Sequence, residues 1–164
     1  MNVLEPPARL HLEAAKGWCD MHAYSEASEE LEWIPEGSLT HPKVLEVRWQ
    51  VSANLARWQE ALDVASAMVS LVPAQSNGWE YKAASLRGLK RDQEACDILR
   101  EAARRFPRNE VVLYDLACVC CVLKRPREAS AWLDWAMNLG GYEIKLRALD
   151  DPELEPLLGE LVND

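Results

Sequence analysis

No stretch of this sequence approaches the roughly 18 to 20 apolar residues needed to span a bilayer, so no membrane segment is expected. The opening MNVLEPPARL lacks a basic region followed by an apolar core, so no secretory leader is predicted. There is no glycine-rich phosphate loop. No serine or cysteine nucleophile can be set beside a paired histidine and aspartate, and these absences argue against an enzyme. An even, well-spread set of cysteines is also missing: there are five, Cys19, Cys96, Cys118, Cys120 and Cys121, and the last three are crowded together. A secreted disulfide framework has a different pattern, and reduced thiols in a cytoplasmic protein are the expectation. Nor is there a basic stripe. A net charge of −9 repels polyanions, and Arg104-Arg105 and Lys124-Arg125-Pro126-Arg127 are short clusters in acidic surroundings. Nucleic acid is therefore not an expected partner, and a cationic or mixed-charge one is electrostatically easier.

What is present is a chain of 164 residues, 49% hydrophobic and 27% charged, enough for a sizeable core in one soluble domain. Within it a dipeptide recurs. Glu26-Ala27, Glu60-Ala61, Glu94-Ala95 and Glu128-Ala129 stand 34 residues apart without slip, a period that marks repeat architectures built of helix pairs. Apolar columns keep the step: Met21, Leu55, Leu89, Leu123; then Leu31, Ala65, Leu99, Leu133; then Ile34, Met68, Ala102, Ala136. Arg57, Arg91 and Arg125 form another column, and Pro73 and Pro107 another, with Gly141 in the next slot.

Each unit reads as two helices. Leu113, Leu116, Ala117, Cys120 and Leu123 lie on one helical face; a break at Lys124-Arg125-Pro126 follows, then a second stripe of Ala129, Leu133, Ala136 and Met137. Proline in a first turn is tolerated because its missing N–H would be unpaired there, and Gly140-Gly141 is expected to end the second helix. Closely packed helices need small residues where their axes approach, a need met by Ala27, Ala61, Ala95 and Ala129 on second helices and Ala15, Ala83 and Ala117 on first ones.

Trp79, Ala83, Leu86, Ala95, Leu99, Ala102 and Pro107 resemble the tetratricopeptide-repeat (TPR) pattern, as do Ala56-Arg57-Trp58-Gln59-Glu60-Ala61-Leu62 and Tyr114-Asp115-Leu116-Ala117-Cys118. The likeness covers residues 8–141 and suggests a small stand-alone protein of the bacterial type. It implies an all-α fold, an α-solenoid of four helix-turn-helix hairpins at about 8–41, 42–75, 76–109 and 110–141, with a C-terminal helical cap over 142–164, all one domain spanning 1–164. First helices would line a concave groove and second helices form the convex back. The tail Asp151-Pro152-Glu153-Leu154-Glu155-Pro156-Leu157-Leu158 is similar to the D-P-x-L-x-x-L segments that follow the last repeat in many bacterial members. Asp151 then Pro152 reads as a helix start, and Ile144, Leu146, Leu149, Leu154, Leu157 and Leu158 as capping residues for the last hairpin's open face. The chain departs from the pattern at Trp49, where glycine or alanine is preferred, at Arg48 and Lys82, where leucine is, and at His11, where a large apolar residue is. Pro35 should cut the second helix of the first hairpin short. These departures predict looser or rotated packing between the first two hairpins.

The resemblance places the groove on Leu12 and Lys16; on Glu46, Gln50 and Asn54; on Glu80, Tyr81 and Arg87; and on Tyr114, Cys118 and Cys121. Leu12, Glu46 and Glu80 stand where some members carry a Lys/Asn/Arg clamp for a C-terminal carboxylate, so an EEVD-type tail is disfavoured. Cys118 and Cys121, three apart on a helix, have the softness for Cu(I) or zinc, yet no nearby histidine completes a set, and buried cysteine also behaves as a small hydrophobe. His11 and His22 lie too far apart to share a metal, so no cofactor is expected. The acidic runs Glu26 to Glu32 and Asp150 to Glu155 read as solvated faces. Of seven tryptophans, Trp18, Trp58 and Trp79 fall on core positions and Trp132 on a half-buried one. Trp33 and Trp135 fall on convex positions: either they pack under terminal segments, Trp33 under Val3-Leu4 and Trp135 under the tail, or they mark an oligomer or partner surface. The expected function is a non-catalytic adaptor holding a protein, as peptide or helix, in the groove. The alternatives are self-association, as in a homodimer, through the open end or through Trp33 and Trp135, and a metal or redox role at the cysteines.

Overall fold

A computed structural model describes residues 4–157 of the chain. Among these residues it contains eight α-helices, one 3-10 turn and no strand. In chain order they are α1 (Pro6–Asp20), α2 (Tyr24–Glu32), the 3-10 turn Glu36–Ser38, α3 (Pro42–Asn54), α4 (Trp58–Leu71), α5 (Ser76–Gly88), α6 (Asp92–Arg105), α7 (Glu110–Val122) and α8 (Pro126–Asp150). No described helix is long and apolar enough to cross a membrane. The chain forms two compact units that divide between Leu89 and Lys90, so α1 to α5 belong to the first and α6 to α8 to the second.

The 34-residue period of the sequence reappears in the backbone. His22, Ala56, Lys90 and Lys124 each have a left-handed φ, between 55° and 61°, and none is glycine. Each sits two residues past the end of a first helix. After three of them the next N–H reaches back to close the turn: Ala23 to the Trp18 carbonyl at 2.9 Å, Arg57 to Ser52 at 2.8 Å and Arg125 to Cys120 at 2.9 Å. This left-handed terminus satisfies carbonyls that the helix end would otherwise leave open, and it turns the chain sharply into the second helix. Proline stands in the first turn of α8, as expected, and also in those of α1 and α3.

In the first unit, α1, α2 and α3 share a core built on Leu12, Ala15, Ala27, Leu31, Val44 and Val51. The alanine positions are buried as the packing argument requires: Ala15, Ala27, Ala61 and Ala83 are 0–2% exposed. α2 has only nine residues, stopping at Glu32 ahead of Pro35. An open cleft of about 320 Å³ lies between it and the next hairpin, lined by Ser28, Leu31, Arg48 and Val51 among others, in keeping with the looseness expected there. Trp49, too large for a small-residue site, lies flat on Tyr81 and joins the cluster of Leu45, Val64 and Met68. Trp79 is buried, with its Nε1–H donating to the Pro73 carbonyl at 3.2 Å. Trp58 lies against Gly88, where no Cβ would fit. Trp18 departs from its expected core position, standing 37% exposed near the end of α1.

In the second unit α7 is buried nearly all round, from Val112 to Cys120 except Asp115. A helix apolar on every side needs cover on every side. It receives cover from α6, from α8 and from the segment after α8. Asn109 starts it, its Oδ1 accepting from the Val111 and Val112 N–H groups at 2.9 and 3.1 Å. α8 is interrupted as Gly140-Gly141 predicted: Gly141 has φ 60° and ψ −136°, which separates helical residues 126–140 from 142–150. Of the expected capping residues, Ile144, Leu154 and Leu157 are buried, Leu146 and Leu149 are exposed, and Leu158 lies outside the described residues. Asp151 Oδ1 accepts the Glu153 N–H at 2.9 Å, as a helix-starting aspartate should. Residues 152–154 nonetheless form a turn, and helical backbone resumes only at 155–157.

Candidate functional site

In the first unit six of the groove residues expected from the sequence lie on α3 and α5, which meet through Trp49, Tyr81, Ser85 and Glu46. Trp49 and Tyr81 stack with ring centroids 3.8 Å apart and planes within 7°. The arrangement is pinned at three points. The Trp49 Nε1–H donates to Ser85 Oγ at 2.9 Å, the Ser85 hydroxyl donates to the Tyr81 carbonyl at 2.8 Å, and the Tyr81 hydroxyl approaches Glu46 at 3.4 Å. Burial, then the negative charge and hydrogen bond of Glu46, push the Tyr81 phenol above its ordinary pKa, so it stays a neutral donor. Glu46 and Gln50 lie on α3, Gln50 exposed and Glu46 reaching the Tyr81 hydroxyl, while Glu80 and Arg87 are half-buried on α5. Asn54, on the last turn of α3, donates its Nδ2–H to the Gln50 carbonyl at 2.8 Å. The face is thus a fixed aromatic plate bordered by carboxylates and amides. Such a plate can stack on a planar or aliphatic side chain and attract a cation.

Elsewhere in that unit Lys16 pairs with Glu13 at 3.2 Å on the surface of α1. Leu12 corrects the expectation: at 1% exposed it is a core residue of α1, facing α2 and α3 rather than a ligand. His11 bonds Glu30 at 2.6 Å and stacks on Trp33 at 6.5 Å, while His22 bonds Tyr24 at 3.1 Å, so the two histidines serve separate local contacts. Trp33 is not covered by Leu4, which packs against the core, and stands 72% exposed; Val3 lies outside the described residues.

In the second unit two further groove residues are corrected. Tyr114 and Cys118 are buried because the chain after α8 lies over α7. The Tyr114 hydroxyl donates to Asp151 Oδ2 at 2.7 Å, the Arg147 guanidinium lies 4.2 Å over the Tyr114 ring, and Cys118 Sγ lies 3.7 Å from Asp151 Oδ2. Arg147 also approaches Asp115 at 3.6 Å. Burial first, then the Asp151 hydrogen bond, raise the Tyr114 pKa far above the ordinary phenol range. Cys121 remains half-buried. The sequence placed a cap over the last hairpin's open face but not on Tyr114 and Cys118, because the contact joins positions 37 apart outside the repeat period. The Asp-Pro step after α8 was the local signal for a turn there.

The thiol of Cys118 and the carboxylates of Asp151 and Glu153 come within 4.8 Å of one another. Asp151 is already engaged by Tyr114 and the Glu153 N–H, and three ligands fall short of a closed tetrahedral zinc set. Cys121 is not part of this three-residue group. Cys96 and Cys120 are fully buried; burial, then the neighbouring Cys96, push the Cys120 thiol up to about 12, where it stays protonated.

Trp135, expected either under the tail, of which residues 158–164 lie outside the described residues, or at a contact surface, is 42% exposed and stacks on Trp132, with ring centroids 5.8 Å apart and planes within 10°.

No protein-family profile matches the sequence, and no curated protein resembles it at a significant level. Solved structures do resemble the fold. TTC0263, described as a thermophilic TPR protein from Thermus thermophilus, superposes with a TM-score of 0.72 at 19% identity, covering 94% of this chain and 82% of its own. MamA superposes with a TM-score of 0.74 at 13% identity, covering 86% of this chain and 83% of its own. A chain of the APC/C hetero-tetramer Cut9-Hcn1 gives 0.68 at 18% identity, covering 92% of this chain but only 29% of that longer one.

Proposed function

We propose that this chain, whose fold is the all-α tetratricopeptide-type solenoid, is a non-catalytic scaffold that holds a peptide or helix of another protein on the face of α3 and α5. The observation that carries the reading is the pinned Trp49–Tyr81 plate with Glu46, Gln50 and Asn54 beside it. A large rigid aromatic surface loses little conformational entropy on binding, and aromatic anchors dominate interface energetics. The bordering Glu46 and Glu80 favour a partner segment carrying lysine or arginine. Lys16, Arg87 and Cys121 are the remaining groove positions that burial leaves accessible in part.

The test uses surface residues whose replacement leaves the core untouched. Proteins captured from native lysate by the wild-type chain are expected to be lost with Glu46→Lys and Gln50→Arg together. Retention of the same proteins by that double variant would remove the α3–α5 face from the function.

A second reading is self-association. Trp33 is 72% exposed, and Tyr142, Leu146 and Leu149 are 73%, 44% and 68% exposed on one side of helical residues 142–150. Unpartnered apolar faces of this kind mark contact surfaces. Light scattering that gives the monomer mass at the highest soluble concentration would rule it out.

A further inference from the structure

The second unit contains a further cleft, lined by none of the groove residues expected from the sequence and by no described residue after α8. It lies between α6 and α8, holds about 380 Å³, and is lined by Arg100, Ala103, Arg104, Pro107, Trp132 and Trp135. Its two charged lining residues are both arginines, in a protein whose net charge is −9. Arg105 and Arg108 lie exposed just beyond, with Glu101 bonded to both Arg104 and Arg105. At one end the cleft is braced. Arg100 donates through Nε to Glu128 Oε1 at 3.2 Å, and its terminal guanidinium nitrogen bonds the same oxygen. Glu128 also takes a hydrogen bond from Trp132, so that carboxylate is neutralised within the wall and the indole is fixed in place. Trp135 stacks on Trp132 and remains 42% exposed, presenting an indole face to solvent.

From this geometry we infer that the α6–α8 cleft is a docking site for a short acidic peptide segment with one apolar anchor residue. The anchor, a proline or leucine, lies on the Trp132–Trp135 pair, and the flanking carboxylates face Arg104, since Arg100 is held by Glu128 and Asp97. The two parts support each other. Tryptophan faces give contact area at little entropic cost, and Arg104, whose side chain is 77% exposed and shares Glu101 with Arg105, leaves the cleft rim an excess of positive charge that selects the partner. The site uses second helices of the hairpins and shares no residue with the α3–α5 face.

The probe is the blocked hexapeptide Asp-Glu-Pro-Leu-Asp-Glu, added to uniformly ¹⁵N-labelled full-length protein while the indole N–H signals are followed. Trp132→Phe and Trp135→Phe assign the two signals. The expected result is a saturable shift of these two indoles, with affinity falling on raising salt as exposed charge pairs are screened. Arg104→Glu, an exposed change that leaves the fold intact by circular dichroism, should weaken binding at least about tenfold. Replacing Pro-Leu by Gly-Gly in the peptide should weaken it similarly. The inference is overturned if neither indole shifts at about 2 mM peptide, where even a millimolar site would be well occupied. It is overturned equally if Arg104→Glu binds as well as wild type or if a lysine peptide binds as well as the acidic one. A stronger shift with a short oligothymidylate would make the cleft a nucleic-acid surface instead. Loss of the Trp135 signal into a dimer would make it a contact between copies. Failure here leaves the α3–α5 proposal standing, since Glu46 and Gln50 take no part.

Discussion

Tyr114 hands its phenolic hydrogen to Asp151 across 37 residues of sequence, at 2.7 Å, and so ties α7 to the segment that follows α8. Hydrogen bonds to a charged partner contribute more than neutral ones, so Tyr114→Phe should lower stability by about 1.5 kcal/mol in urea denaturation. The same bond sets a pH dependence. Burial alone raises the Asp151 pKa, but hydrogen bonds from the Tyr114 hydroxyl, the Glu153 N–H and the Cys118 thiol, with Arg147 nearby, hold it below its ordinary value. A carboxyl lowered on folding stabilises fully above its unfolded pKa of about 4, and the contribution is lost as pH falls through the folded value. Thermal midpoints should therefore hold steady from about pH 7 to pH 5 and fall below about pH 4. Asp151→Asn should show a shallower fall; an unchanged acid limb would mean that other carboxylates govern it.

Four left-handed residues, His22, Ala56, Lys90 and Lys124, occupy a conformation that crowds Cβ against the carbonyl. Glycine has no Cβ to crowd. Ala56→Gly, Lys90→Gly and Lys124→Gly should each raise stability by about 0.5–1 kcal/mol, measured as an increased urea midpoint at constant slope. His22→Gly should gain less, because it also removes the ring's contact with Tyr24.

Gly88 has the opposite constraint. A Cβ there would strike the Trp58 ring. Gly88→Ala should cost about 1–3 kcal/mol by overpacking, despite alanine's better helix propensity. In a double-mutant cycle, Trp58→Ala should remove most of that penalty, and additive losses would show that the ring moves aside freely.

Thiol reactivity separates the cysteines. Cys96, Cys118 and Cys120 are 0–2% exposed and Cys19 is 5% exposed, with its pKa raised first by burial and then by Asp20. Cys121 is half-buried. At about pH 8 a chromogenic disulfide reagent should label Cys121 first, with the other four reacting only as the protein unfolds. Rapid labelling of two thiols in native protein would show that the α7 core opens.

The repeat was legible because it is a local property. Small residues at the close approaches and large ones at a fixed step determine which faces bury, so Ala15, Ala83, Ala117 and Ala129 lie where the 34-residue period puts them. The exceptions have nonlocal causes. Tyr114 and Cys118 occupy first-helix positions that the pattern leaves open, and a segment that follows α8, 37 and 33 residues later, covers them. Leu12 is held in the core by two neighbouring helices, α2 and α3, that periodicity along α1 does not register. Trp18 matches a core position by type, yet at the edge of the first hairpin it lacks enough neighbours to bury an indole. Trp49 is the reverse case. It departs from the pattern, and the departure produces the aromatic plate, because the space a small residue would have closed is filled by a ring that finds Tyr81.

Gly141 gives the last hairpin a single-letter dependence. Its φ of 60° with ψ of −136° is open only to glycine, and nothing lies near enough for added bulk to clash. Any side chain there would be refused by the peptide backbone alone, and the relaxed alternative is an unbroken rod of 25 residues, roughly 37 Å long. Such a rod would carry Asp151 away from Tyr114 and strip the cover from α7. One codon thus decides whether the segment after α8 folds back as a lid on α7 or reaches outward as an arm.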